Sequence, residues 1–422
     1  MKSDVIVVGA GMAGVLIAYF LQEKGKKVIV LEAETVASGQ TKKTTAKITS
    51  QHGIKYSNLI KTVGKKKAML YAKANEAAID EYERLIRKYN IDCDFQRTSA
   101  YLYSKECVTP LIKEAEAAKA LGINADFVRD TELPFPVKGG VRFKDQAMFD
   151  GVKFVNYISK KLDIRKNTKV IKIRGNKVIT DKGVFLGNKI VVATHYPIIN
   201  VPGFYFLRQH QERSYVLELS GCPKLEGMYY GIDKNGLSFR QWGENLVIGG
   251  GSHRTGHNLS GGSYCFLKKK AAEIFPDSHE VKRWSAQDAM PHDGIPFIGR
   301  YSIFTPDIFV ATGFQKWGMT SAMVAAMILR DEVCDAKNPY SKVFSPQRMN
   351  IRAGMGKLFL DMYESIKGLT KGYLGKSHQC SHMGCALTWN PDEETWDCPC
   401  HGSGFDSHGN LIENPAVKNI KI

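Results

Sequence analysis

Three glycines set between two apolar runs restrict this chain more than any other feature. Asp4-Val-Ile-Val-Val8 reads as a buried parallel strand, and Gly9-Ala-Gly11-Met-Ala-Gly14 follows it. An apolar helix then runs to about Lys24, Gly25 ends it, and Val28-Ile-Val-Leu31 is a second strand closed by Glu32. This is one strand–helix–strand unit of the dinucleotide-binding kind. Gly9 permits the tight turn, Gly11 lets the backbone approach a pyrophosphate, and Gly14 lets helix and strand pack closely. The helix N-terminus offers unpaired N–H groups and a positive dipole end to phosphates. The Glu32 carboxylate is placed to accept hydrogen bonds from ribose hydroxyls and would repel a 2′-phosphate.

The chain as a whole is too long for one small domain; 422 residues suggest two or three. A Ser/Thr/Gly-rich stretch covers 34–54, and helical patterning continues to about Lys88. Strand signals return at 168–174, 177–180 and 184–193, a β-rich region spans about 203–260, and strand, loop and helix signals fill 284–335. No internal repeat is visible. After about Asn338 the composition changes. Residues 346–374 carry no strand signal but contain a basic amphipathic piece, Lys357–Lys367, expected to be a linker helix packed on the preceding domain, with a membrane surface as the alternative. No run approaches the ~18–20 apolar residues of a membrane span. The N-terminus enters a strand at once, so no signal peptide and a cytoplasmic location are expected. The formal charge of +17 comes from lysines spread along the chain without a nucleic-acid motif. It reads as a solvated surface that favours anionic substrates or partners, and no nucleic acid is expected.

Five of the nine cysteines are scattered singly, whereas Cys380, Cys385, Cys398 and Cys400 crowd together. The two strings are Cys380-Ser-His382-Met-Gly-Cys385 and Cys398-Pro-Cys400-His401-Gly-Ser403. Clustered Cys and His in a reducing compartment indicate a metal or redox chemistry. A tetrahedral zinc site uses the same donor types, although it leaves two cysteines unexplained. The pair of strings resembles the Rieske family, whose [2Fe–2S] centre has two cysteines on one iron and two histidines on the other. The resemblance implies Cys380 and Cys398 as thiolate ligands, His382 and His401 as imidazole ligands, and a disulfide between Cys385 and Cys400. A degenerate domain without its cluster remains the other reading. High-potential members carry a Tyr two positions after the Ser; here Phe405 stands there, which implies a lower potential. The piece looks reduced to the cluster-binding half. Residues 376–422 hold Asp392, Glu393, Glu394, Asp397, Asp406 and Glu413 against Lys376, Lys418 and Lys421, so the piece is expected to dock on the positive remainder.

Residues 3–335 resemble the FAD-dependent oxidoreductases that include D-amino-acid and glycine oxidases. Four segments carry the likeness: Asp4–Glu32; Ser38-Gly39 with Thr44-Thr-Ala-Lys-Ile48; Thr168-Lys-Val170 with Val191-Val-Ala-Thr194; and Asp293-Gly-Ile-Pro-Phe-Ile-Gly299 with Ala311-Thr-Gly-Phe-Gln-Lys-Trp-Gly-Met-Thr320. The resemblance implies FAD held by Gly9, Gly11, Gly14, Glu32, Ser38, Gly39, Thr44, Thr45 and Ala46, and by Val170, Ala193, Thr194, Gly313, Lys316, Gly318, Met319 and Thr320. It also implies a helix after Trp317 whose N-terminus faces the flavin's pyrimidine end. Gly249-Gly-Gly-Ser-His-Arg-Thr-Gly256 is similar to a family segment near the active site, which makes His253 and Arg254 candidates for substrate binding or proton movement. Lys47 is a further candidate; Arg208, His210 and Tyr215 are weaker ones.

The expected fold is α/β: a Rossmann-like FAD-binding domain (about 1–55, 150–200 and 285–340) with an interleaved β-rich substrate domain, a linker over 341–375, and a small all-β Rieske cluster-binding domain over 376–422. The expected function is a dehydrogenase. FAD oxidises a small amine, amino acid or hydroxy acid, and the cluster relays single electrons to an external protein or quinone. The alternatives are an oxygen-using oxidase with a structural Rieske piece, and a redox sensor or interaction protein. A Rieske oxygenase would need a mononuclear iron site, and no two-His-one-carboxylate grouping is evident in the sequence.

Overall fold

A computed structural model describes residues 2–348, 351–375 and 377–422; the side chains of 351–360 and 362, and the whole of Lys376, lie outside the description. The opening unit forms as its sequence dictates. Lys2–Val8 and Val28–Leu31 pair in parallel with Val5 opposite Val28. All four residues of the second strand are buried, which is why the run shows no polar alternation. On its other side Lys2–Val8 pairs in parallel with Gly183–Val192, which pairs in parallel with Thr305–Thr312. The sheet has eight strands; Ile164–Arg165 lies beyond Val28–Leu31, Phe297–Ser302 at the opposite edge, and the hairpin of Val170–Arg174 and Lys177–Thr180 folds onto Gly183–Val192. The helix Met12–Glu23 is buried from Met12 through Leu21 and shares the main core with the helix Gly318–Glu332. Helices apolar on every side belong inside, and these two do.

A second sheet of nine strands is built from chain that leaves and re-enters the first domain. Its order runs from His279–Pro291 through Gln209–Ser220, Asn245–Arg254, Ser238–Trp242, Met228–Gly231, Gln96–Ser104 and Gly139–Met148 to Lys47–Ile48, with Ala125–Val128 paired to Gly139–Met148. Gln209–Ser220 alternates buried and half-buried residues at its start, as a strand with one covered face must.

The third sheet is small and antiparallel: Thr388–Asn390, Thr395–Asp397, Gly404–Phe405 and Leu411–Glu413. It presents two loops of matching build. Gly384 N–H donates to the Cys380 carbonyl at 2.9 Å, and Gly402 N–H donates to the Cys398 carbonyl at 2.8 Å. Both glycines have φ near +80°, a conformation that a side chain would strain. The observed architecture is therefore α/β with an interleaved β-rich part and a small all-β C-terminal sheet.

Between the second and third sheets runs the helix Ile351–Leu374. Asp361 and Ser365 are buried, whereas Tyr363, Ile366, Tyr373 and Leu374 are exposed. The amphipathic helix read at Lys357–Lys367 falls within it, although several of its side chains lie outside the description. No helix among the described residues is long and apolar enough to cross a membrane.

Candidate functional site

A cavity of about 700 Å³ begins at the glycine turn and ends on the nine-stranded sheet. Gly9, Gly11, Glu32, Ser38, Gly39, Thr44, Thr45, Val170, Ala193, Thr194, Lys316, Gly318 and Met319 all line it. Gly14, Ala46, Gly313 and Thr320 do not. Gly14 instead packs so closely that a Cβ would overlap the Gly9 carbonyl, and a Cβ on Gly9 would stand 2.7 Å from the Ala193 carbonyl. Gly313 (φ +74°) packs against Pro291, and the Thr320 hydroxyl donates to the Thr49 carbonyl at 3.1 Å. The Glu32 carboxylate is aimed by its own backbone: it accepts from Ala10 N–H at 2.7 Å and from Glu34 N–H at 2.9 Å. Neither Gly11 nor Trp317, the residues that open the two buried helices, caps its helix with a side chain. Two positive helix ends thus meet the cavity, as an extended diphosphate-bearing cofactor with an electron-accepting ring requires. The cradle and the cavity fit FAD.

The end of the cavity on the nine-stranded sheet is polar. The Lys316 ammonium donates to the hydroxyls of Ser214 and Ser252 at 2.7 and 3.1 Å and lies 3.5 Å from Glu212 and 3.8 Å from Asp288. Burial pushes the Asp288 carboxyl up to about 6, against the pull of Lys316. Burial acts on Glu212 in the same sense, but bonds from His210 and the Lys316 charge outweigh it and bring that carboxyl to about 2. Lys47 also lines the cavity; burial, then the Arg240 guanidinium, lowers its ammonium to about 7. Arg240 is tied to the carbonyls of Thr45, Phe149 and Gln241.

His253 and Arg254 do not line the cavity. His253 is held between the Tyr215 hydroxyl at 3.1 Å and the Arg254 carbonyl at 2.8 Å. Arg254 donates to the carbonyls of Pro399 and Cys400 and pairs with Asp361. Tyr215 reaches the cavity, but its hydroxyl accepts from Asn258 and Asn390. Arg208 stacks on Phe297 and donates to the Pro346 carbonyl. His195, which the sequence reading passed over, is a half-buried cavity residue whose buried Nε2 has no hydrogen-bond partner among the described residues.

The cysteine–histidine strings converge at the tip of the third sheet. Cys380, Cys385, Cys398 and Cys400 are all buried, and the last three hold their sulfurs within 4.8 Å of one another. His382 and His401 face each other edge-on with ring centroids 5.0 Å apart. Among the described residues, His382 Nδ1 and both ring nitrogens of His401 are buried without partners. Burial lowers His382 to about 4 and His401 to about 3, so both imidazoles are neutral at pH 7, the form that binds metal. Unpaired buried nitrogens beside a nest of sulfurs suit a metal centre and are costly otherwise. These donors fit a [2Fe–2S] cluster. His382 keeps Nδ1 free because Nε2 is bonded to Asn200 Oδ1 at 2.7 Å, an outer contact that orients the ring. The expected Cys385–Cys400 disulfide is not formed: all nine cysteines are free thiols. The Cys385 sulfur lies within 4.8 Å of the sulfurs of both Cys398 and Cys400.

The acidic surface of the third sheet meets the basic one as its charges imply. Arg213, 4% exposed, pairs at 3.0 Å with Asp397, which is fully buried. Asp392 accepts from Asn258 and from the N–H groups of Gly262 and Ser263, Tyr264 donates to Glu393, and Lys43 pairs with Glu413 at 2.5 Å. Gln211 Nε2 donates to the His401 carbonyl at 2.8 Å, and Gln287 Nε2 to the Gly402 carbonyl at 2.7 Å. Nearby, His210 and His292 both bond Asp361 Oδ2, at 3.0 and 2.5 Å. The structure thus corrects the reading that no two-His-one-carboxylate grouping exists. The three residues gather across long sequence separations on two strand ends and the linker helix. Arg254 occupies the other oxygen of Asp361, so the charge of this carboxylate is balanced by protein alone.

Fold and site together define a two-centre redox protein. The chain belongs to the FAD dependent oxidoreductase family, whose model matches residues 4–332, and it carries a Rieske [2Fe-2S] domain matched over 368–422. It is 33% identical to YhfW of Bacillus subtilis (strain 168), a protein named for a Rieske 2Fe-2S iron–sulfur centre, across 100% of this chain and 93% of YhfW. Over 27% of its length it is 30% identical to the cytochrome b6-f complex iron-sulfur subunit 3 of Nostoc sp. (strain PCC 7120), covering 62% of that subunit. Its fold is similar to that of glycine oxidase from Geobacillus kaustophilus (TM-score 0.70, 18% identity, 82% of this chain and 99% of the other). L-proline dehydrogenase from P. horikoshii is as similar (TM-score 0.70, 18% identity, 82% and 97%). The protein is therefore an oxidoreductase with FAD and a [2Fe–2S] cluster as its cofactors.

Proposed function

We propose that this chain is a cytoplasmic dehydrogenase that oxidises a small amine, amino acid or hydroxy acid and passes the electrons singly to a protein or quinone outside the chain. The observation that carries this reading is the packing of the cluster loops directly on the wall of the flavin cavity. Gln211 lies on a strand whose neighbours line the cavity, and its side chain bonds the carbonyl of His401. FAD supplies two-electron acceptance and a Rieske cluster one-electron transfer; two such centres in contact suit a relay.

The chain's own groups divide the remaining work. Lys316, Ser214 and Ser252 form a hydrogen-bonding floor that can orient a polar substrate. Lys47, which lines the cavity with the Arg240 guanidinium acting on it, has no carboxylate hydrogen-bonded to it among the described residues, which suits an anionic group. Asp288, raised to about 6, and Lys47, lowered to about 7, ionise near neutral pH and so can hold or move a proton.

The test is anaerobic mixing with a panel of such substrates, followed optically for the flavin and by electron paramagnetic resonance for the cluster. The relay predicts fast reoxidation by a one-electron acceptor, slow reoxidation by oxygen, and loss of acceptor turnover in Cys380→Ser. Undiminished turnover in that variant, with peroxide formed, would establish the oxidase reading instead.

A further inference from the structure

The flavin cavity is not closed by the flavoprotein domain alone. Leu411, Ile412, Glu413, Asn414, Ala416 and Val417, all C-terminal to the second cluster string, line the same space as Gly11 and Glu32. Two side chains fasten this segment. The Glu413 carboxylate accepts from Lys43 at 2.5 Å and from Gln40 at 2.9 Å, both on the short helix Gln40–Lys43 that follows Ser38-Gly39. Burial would raise this carboxyl, but Lys43 outweighs it and keeps the group charged. The Asn414 amide donates to the carbonyls of Thr194 and Tyr196, just beyond the strand end that closes on Gly9. The Asn414 carbonyl in turn accepts from Gln211 at 3.1 Å, and the same amide group of Gln211 bonds the His401 carbonyl. One short segment therefore touches the helix Gln40–Lys43, the strand behind the glycine turn and, through Gln211, the cluster loop.

We propose that Leu411–Val417 is part of the FAD-binding site, a wall contributed by the cluster module, so that bound FAD and the docked module retain each other. The proposal rests on the assignment of the cavity to FAD. With the segment in place, one side of the cofactor is covered by chain that must move before FAD can leave. Linkage then makes the effect reciprocal: whatever affinity for FAD is lost on undocking is lost equally from docking when FAD is removed.

The experiment uses the full-length holoprotein and measures FAD release by recovery of flavin fluorescence after dilution. Asn414→Ala removes two hydrogen bonds, and Glu413→Gln removes the charge facing Lys43. Each should speed release by on the order of tenfold, with the Rieske resonance signal per chain unchanged. Val417→Trp, which puts bulk into the cavity from the same segment, should lower FAD occupancy while leaving that signal intact. Stripping FAD from the unmutated protein should raise the rate at which protease cuts within 376–422. Release rates equal to the unmutated protein's in all three variants, together with proteolysis indifferent to FAD, overturn the proposal. Failure of the unmutated protein to bind FAD at all would instead remove the cofactor assignment on which it stands.

Discussion

Arg213→Met is the most informative single perturbation of the docked arrangement. Arg213 is almost fully buried and divides its guanidinium among Ser285, Gln287 and Asp397 at 3.0–3.1 Å. Asp397 is fully buried and has two further bonds, from Asn390 and Thr395, both at 3.1 Å. At 3.0 Å and an effective dielectric constant of about 20, the pair attraction is about 5.5 kcal/mol. Removing one partner of a buried pair typically costs about 3–5 kcal/mol, because the other charge is left without compensation. The pair joins the two modules, so the loss falls on docking. The undocked population should rise by about a hundredfold to several thousandfold. Proteolysis of 376–422 under conditions where opening is fast reports that population. The double variant Arg213→Met/Asp397→Asn should recover much of the loss, since no fully buried charge is then stranded and Glu393, Arg213's other carboxylate neighbour, is partly exposed. A cleavage rate in the single variant within about fivefold of the unmutated protein, or no recovery in the double, refutes the reasoning.

Phe405 is fully buried beside the cluster strings, and Phe405→Tyr restores a hydroxyl donor, so a redox titration should move the cluster potential upward. Asp288, raised to about 6, should give the rate of flavin reduction an inflection near that pH, absent in Asp288→Asn. Its folded-state pKa lies above the usual carboxylate range, so its contribution to stability is complete at low pH and is lost as pH rises to about 6; the variant should flatten that window in a denaturation series. Gly14→Ala forces a methyl against the Gly9 carbonyl, a backbone group that cannot swing away, and should cost about 2 kcal/mol or more, read as lost flavin absorbance per purified chain.

What could be read from the sequence followed from how local each signal is. The glycine turn and Glu32 lie within one strand–helix–strand unit, and four cysteines and two histidines lie within two short strings, so their order along the chain already implies their proximity in space. The docking of the acidic piece was legible as charge alone; Asp392, Glu393, Asp397 and Glu413 all meet the larger part, whereas Asp406 bonds back to its own turn at Asn410. The hub at Asp361 was not legible, because His210, His292 and Asp361 are brought together only when two strand ends and the linker helix pack. His253 and Arg254 stand in a segment similar to one near family active sites, yet Arg254 is turned toward Pro399 and Cys400 by a module that a plain member of the family lacks. The wall at Leu411–Val417 was invisible for the same reason: nothing in a sequence announces where a chain returns after a separate sheet has formed.

The helix Ile351–Leu374 sets a limit on how this chain can be rebuilt. A Cβ on Gly368 would collide with the Cys400 sulfur, and one on Gly372 would collide with the Gly384 carbonyl. The Gly368 carbonyl also accepts from Ala386 N–H at 3.0 Å. The last turns of the helix are thus one side of the cage around the sulfurs. A single residue inserted between Asp361 and Gly368 would turn those glycines through about 100° and bring a side chain against Cys400. Chimeras that exchange the C-terminal module should therefore be cut upstream of Asp361, carrying the helix with the module it encloses, while a graft at 375 would separate the sulfurs from part of their own housing.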